Sequence, residues 1–176
     1  MFCVNGILFN HESPIRGLEF VTRKVSNGIA KISLGISKTL NLGNLSAVRD
    51  WGYAPEYVEG MYLMLKQKKP DNFILATNES HSIKELVEEA CKIGGVSTKA
   101  IISSKENFRI NDVEHLQGDY KKAKKNLGWN PKTNFKKLVK IMVEEDISRW
   151  ERWLKKEIFP WDAFTSGEDS AFNKKL

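Results

Sequence analysis

An apolar run from Phe2 to Phe9, broken only by Asn5 and Gly6, sets the first limit on the fold. Such a run reads as a strand buried on both faces, the habit of a parallel sheet. It passes into the polar segment Asn10 to Gly17, where Pro14 and Gly17 mark a loop. A helix is predicted over Glu19–Ala30, a short strand over Thr39–Leu42, and a helix over Pro55–Gln67 with Val58, Met61, Tyr62 and Leu65 on one face. Strands alternating with helices predict an α/β protein. A doubly buried strand needs neighbours on both sides, and too few strands follow to cover it. The chain reads as the second half of a larger α/β unit.

The remaining pattern agrees. Asn72–Thr77 and Lys99–Ser103 read as strands. Between them Ser82 and Glu85 form a capping box ahead of the stripe Ile83, Leu86, Val87, Ala90 and Cys91, which Gly94-Gly95 ends. Asp119 opens a short basic helix that stops at Gly128. The last helix carries Phe135, Leu138, Val139, Met142, Val143, Ile147, Trp150 and Leu154 in register. Residues 1–164 are expected to form the folded part and 165–176 a flexible tail.

The net charge of +6 invites a nucleic-acid reading. Asp119 to Glu157 holds twelve Lys/Arg and six Asp/Glu, the whole excess, arranged as a solvated helix face would be. That argues against nucleic acid. No segment approaches the roughly 20 apolar residues of a membrane span. Cys3 and Cys91 form no C-x-x-C pair and sit in apolar patterns, as structural thiols in a reducing compartment do. With no signal-peptide pattern at Met1, the expected location is cytoplasmic and the membrane is excluded as a partner.

Catalytic signatures are sparse. The twelve glycines make no G-x-G-x-x-G and no Walker loop, and His11, His81 and His115 have no metal spacing. Tyr62 with Lys66 and Tyr120 with Lys124 match Tyr-x-x-x-Lys, yet one lies on an apolar helix face and the other in a lysine run. Both read as chance. Asn10, His11 and Arg16 lie beyond a strand end, where open α/β sheets bind ligands, or else they only build a turn. Arg49 either clamps a diphosphate or pairs with Asp50, and Arg109 either meets a ligand or forms a rim ion pair.

Read together, these segments resemble the GDP-mannose 4,6-dehydratase family. The match runs from Phe2 to about Asp146: Asn5-Gly-Ile-Leu-Phe-Asn-His-Glu-Ser-Pro14, Phe20-Val-Thr-Arg-Lys24, Leu42 to Gly52, Asn72-Phe-Ile-Leu-Ala-Thr77, Phe108-Arg109, and Lys122 to Pro131. The resemblance implies the C-terminal part of a Rossmann-type, extended short-chain dehydrogenase fold with a small mixed α/β substrate domain. It implies a lyase that uses NADP to oxidise C4 of GDP-mannose, remove water across C5–C6 and return the hydride to C6. The product would be GDP-4-dehydro-6-deoxymannose, precursor of GDP-fucose and GDP-rhamnose.

By the same resemblance His11 and Arg16 line the NADP site. Asn10, Val21, Lys24 and Asn44 contact the substrate, Arg49 and Arg109 grip its diphosphate, and Asp112 holds the ribose. Asp112 stands where the family has glutamate, Ile15 where arginine is usual, and Ile110 where proline is usual. The family's glycine fingerprint, its Thr and Glu, and its Tyr-x-x-x-Lys pair precede the matched region. No catalytic residue and no metal ligand is assigned. The isolated chain is expected to be inactive, with an upstream-half polypeptide or a homo-oligomer as further partner. Competing expectations are another nucleotide-sugar epimerase or reductase, and a non-catalytic GDP-sugar-binding or assembly module.

Overall fold

The apolar run at the N-terminus becomes two short strands. In this computed structural model, which describes residues 1–104 and 113–157, β1 (Asn5–Leu8) pairs in parallel with β6 (Asn72–Leu75). After Phe9 the chain changes neighbour, and β2 (Asn10–Glu12) pairs in parallel with β5 (Trp51–Tyr53). The expected single strand buried on both faces is therefore corrected. Among the described residues β1 has one partner strand, and Ile7 on it is 56% exposed. Arg109, Asp112 and the tail beyond Phe164 lie outside the described residues.

Helix α1 (Val21–Ser33) follows the loop and returns the chain to β3 (Leu40–Leu42), which pairs in parallel with β8 (Ile101–Ser103). A Cβ on Gly28 would stand 2.7 Å from Leu40 Cδ1, so glycine is what lets α1 lie against β3. The two-residue strands β4 (Val48–Arg49) and β7 (His81–Ser82) pair antiparallel.

Helix α3 (Ile83–Gly94) starts as the sequence predicts. Glu85 N–H donates to Ser82 Oγ at 3.1 Å, Ser82 N–H donates to Glu85 Oε2 at 2.7 Å, and Gly95 ends the helix at φ +65°. The final helices are α4 (Lys121–Leu127) and α5 (Phe135–Leu154). On α4 and α5 the lysines expected to form solvated faces are exposed.

Two apolar clusters hold these elements. The larger joins α1, α3, α5, β3 and β5 around Val25, Ile29, Leu42, Trp51, Leu86, Val87 and Met142. The smaller joins β6, α4 and α2 (Ala54–Leu65) around Tyr57, Met64, Phe73, Leu75, Leu127 and Trp129. Burying each of the larger apolar side chains contributes roughly 1.5–3 kcal/mol. Helix α2 departs from its expected orientation. It buries Tyr57, Gly60 and Met64, while Val58, Met61, Tyr62 and Leu65 face outward. Cys91 is buried as expected of a structural thiol, whereas Cys3 is exposed.

Candidate functional site

A cleft of about 340 Å³ opens where the chain leaves β2 and β3 at their carboxyl ends. This is the position that open α/β sheets give their ligands. One wall is β2. Strand alternation puts Asn10 and Glu12 into the cleft and sends His11 to the opposite face, where its ring stacks on Tyr57 at 5.2 Å. His11 Nδ1 lies 2.8 Å from the Phe9 carbonyl, which fixes Nδ1–H as the donor. The other walls come from Arg16 and Phe20, from Val21, Thr22 and Lys24 at the start of α1, from Leu42 to Asn44 after β3, and from Arg49, Trp51 and Ile83.

Six of the residues expected to bind cofactor or substrate thus converge: Asn10, Arg16, Val21, Lys24, Asn44 and Arg49. His11 is on the other side of its strand. Arg109 and Asp112 lie outside the described residues. Neither Tyr62 nor Tyr120 lines the cleft. Tyr62 lies under the Lys66 ammonium, and Tyr120 bonds Asn130 and packs on Trp129.

The cleft suits an anion. Arg16, Lys24 and Arg49 bring positive charge from three segments. Helix α1 points its first turn into the cleft with no side-chain cap and no acidic residue there, leaving its N–H groups and dipole for a ligand. Trp51 is buried in the wall, and its indole N–H finds no acceptor among the described residues. Arg49 Nη1 donates to the Val48 carbonyl at 2.8 Å. It does not pair with Asp50, which turns away to the backbone of Thr77, Asn78 and Gly118. Asn44 Oδ1 is drawn into its own turn by Ser46 N–H and Oγ–H.

Glu12 was not legible as a site residue. It is 2% exposed, and its Oε2 accepts from Thr22 Oγ at 2.6 Å and lies 3.4 Å from Arg16 Nε. Burial pushes its carboxyl above the ordinary glutamate value of 4.5, against the pull of Thr22, Arg16 and His11. The sequence signal was the Asn10/Glu12 alternation, hidden because the segment reads as a loop. Beneath the cleft Arg23 chelates Asp146 at 2.9 and 3.0 Å and bonds the Arg16 carbonyl at 2.9 Å. Arg149 bonds the Pro14 carbonyl. Helix α5 thereby anchors the backbone of the loop that carries Arg16.

The fold is the C-terminal part of a Rossmann-type, extended short-chain dehydrogenase fold. RMD from Pseudomonas aeruginosa, solved in complex with NADPH, superposes with a TM-score of 0.75 at 20% identity over 82% of this chain and 48% of its own. The dTDP-glucose 4,6-dehydratase of Bacillus anthracis, solved with NAD, gives a TM-score of 0.71 at 19% identity over 87% and 47%. Sequence narrows the class to one family. The GDP-mannose 4,6 dehydratase family model matches residues 1–142. GDP-mannose 4,6 dehydratase 1 of Arabidopsis thaliana is 48% identical over 86% of this chain and 42% of its own length. The human GDP-mannose 4,6 dehydratase is 46% identical over 84% and 44%. The chain belongs to the GDP-mannose 4,6-dehydratase family and spans under half the length of these relatives.

Proposed function

We propose that this chain is the sugar-nucleotide-binding part of a cytoplasmic lyase that converts GDP-mannose to GDP-4-dehydro-6-deoxymannose with NADP, on a route to GDP-fucose. The supporting observation is the convergence of Arg16, Lys24 and Arg49 with the uncapped start of α1 on one cleft, in a chain of this family. The GDP diphosphate sits against Lys24 and Arg49, with Arg49 and Arg109 clamping it bidentately and Asp112 on the ribose, while Arg16 faces the dinucleotide. Asn10, Val21 and Asn44 border the sugar and base.

The described residues fit only part of NADP. Arg16 offers a phosphate partner, and His11 is engaged with Tyr57 and Phe9. No step is therefore assigned through the dinucleotide here. Turnover draws on the part of the relatives' length that this chain does not span. Calorimetry with GDP-mannose tests the reading. The chain binds it, and Arg49→Ala weakens binding by about 1.5–3 kcal/mol, the worth of a charge-assisted hydrogen bond, with Arg49→Lys recovering part. Equal affinity in wild type and Arg49→Ala overturns the assignment. Incubated with GDP-mannose and NADP, the chain alone yields no 4-dehydro product above a no-protein control.

A further inference from the structure

The turn that follows β3 carries a side chain whose polarity is fixed. Asn44 Oδ1 accepts from Ser46 N–H at 2.9 Å and from Ser46 Oγ–H at 2.6 Å. A flipped amide would set two N–H donors against the Ser46 N–H, so the turn permits this orientation alone. Asn44 lines the cleft, and its Nδ2 amide makes no hydrogen bond among the described residues.

The backbone around Asn44 is held from two sides. Ser103 Oγ–H donates to the Gly43 carbonyl at 2.8 Å, and Ser104 N–H donates to the Leu42 carbonyl at 3.1 Å. Lys84 N–H, on the first turn of α3, donates to the Leu45 carbonyl at 2.9 Å. Three acceptors of the turn are taken, and what Asn44 still offers is a donor. An amide held in this way meets a ligand without first losing rotamer freedom.

The surroundings of Asn44 differ from the rest of the cleft. Positive charge enters at Arg16, Lys24 and Arg49, whereas residues 42–46 carry none. Leu42 and Ile83, both buried and packed in one apolar cluster, line the cleft as well. Apolar surface beside one fixed donor suits the face and edge of a planar heterocycle. A phosphate would call for charge, and a sugar hydroxyl both donates and accepts.

We infer that Asn44 reads the purine base of the bound nucleotide, its Nδ2 amide donating to the 6-keto edge of guanine and rejecting the 6-amino edge of adenine. This rests on the reading that the cleft takes a GDP-sugar, with the diphosphate at Lys24 and Arg49. Guanine presents two acceptors side by side, O6 and N7, where adenine sets an amino donor beside N7. A donor-only amide pairs with the first edge and leaves donor facing donor on the second. Ser46 is the positioning residue that keeps the amide from turning over. Asn44 selects the ligand and takes no part in making or breaking bonds.

The test compares diphosphates that differ in the base alone. GDP and IDP share the 6-keto group and N7, IDP lacks the 2-amine, and ADP carries the 6-amine. By calorimetry, with the weaker ligands read in competition with GDP-mannose, the wild-type chain binds ADP about tenfold more weakly than GDP, the scale of one base-edge contact. Asn44→Ala weakens GDP and IDP by the same factor of about ten and ADP by less than about threefold. Asn44→Asp keeps one oxygen for Ser46 and turns an acceptor to the base, so the preference passes to ADP. Equal affinity for GDP and ADP in the wild type overturns the inference without any variant. So does an Asn44→Ala loss shared equally by all three ligands, a loss seen with GDP but not IDP, or an Asn44→Asp chain that still prefers GDP. If those ratios stay flat while Arg49→Ala weakens GDP-mannose, the functional reading stands and the role of Asn44 falls alone. If no nucleotide binds, the functional reading falls and takes this inference with it.

Discussion

Asp50 shows how one side chain organises the ground beside the cleft. It is fully buried, and its Oδ1 accepts from Thr77 N–H at 2.9 Å and Thr77 Oγ–H at 2.7 Å. Its Oδ2 accepts from the N–H groups of Asn78 and Gly118, both at 3.2 Å. One carboxylate thus replaces water for three backbone donors on two separate loops. Asn78 is held at φ +65°, a conformation the loop keeps because Asp50 fixes its N–H. Each orphaned buried donor costs about 1–3 kcal/mol. Asp50→Ala is therefore expected to lower stability by about 3 kcal/mol or more in urea unfolding, and a loss below about 1 kcal/mol would contradict this account. The partners stand 27 to 68 residues away in sequence, so no local pattern announces them. That is why the sequence leaves Asp50 as a candidate partner of its neighbour Arg49. Strand alternation sends the two to opposite sides.

Among the elements, α3 and α5 were read closely because their signals are local. Ser82, Glu85 and Gly95 mark the ends of α3, and the stripe from Phe135 to Trp150 marks α5, whose cap, Asn134 accepting from Lys137 N–H at 2.9 Å, the structure adds. The two-residue strands β4 and β7 carry no periodicity and escape such a reading. The cap of α3 also gives a pH test. Hydrogen bonds from Ser82 N–H and Oγ–H, more than the nearby His81, hold the Glu85 carboxyl below its ordinary 4.5. A depressed folded-state value means the contribution is complete above the unfolded value and is lost as pH falls through the folded one. Glu85→Gln is expected to cost a few tenths to about 1 kcal/mol at pH 7, the scale of a helix cap, with the gap closing as the solution is taken below pH 4.5. A gap that stays constant from pH 7 down to pH 3 would show that the ionised carboxylate adds nothing to the cap.

At the scale of the whole molecule, the outward stripe of α2 and the open edge of β1 belong together. A helix places positions 58, 61, 62 and 65 on one face, and that spacing ordinarily marks the side turned to a core. Here the core side of α2 is Tyr57, Gly60 and Met64, so the sequence pattern describes two apolar faces rather than one. Beside it, Asn5 and Phe9 donate their N–H groups to the carbonyls of Asp71 and Leu75. The alternation of a parallel ladder then turns the backbone groups of Gly6 and Leu8 to the edge that has no partner strand among the described residues. Two-stranded parallel sheets with one covered face do not stand alone, and an edge unpaired among the described residues, beside exposed Ile7, Val58, Tyr62 and Leu65, favours association. The purified chain is expected to self-associate as its concentration rises, seen as a growing sedimentation coefficient. Val58→Lys with Leu65→Lys should shift it towards the monomer while leaving the GDP-mannose affinity of the cleft intact, since neither residue lines that cleft. A wild-type chain that sediments as a monomer at every concentration, or a double variant that associates equally well, would show that this face does not drive association.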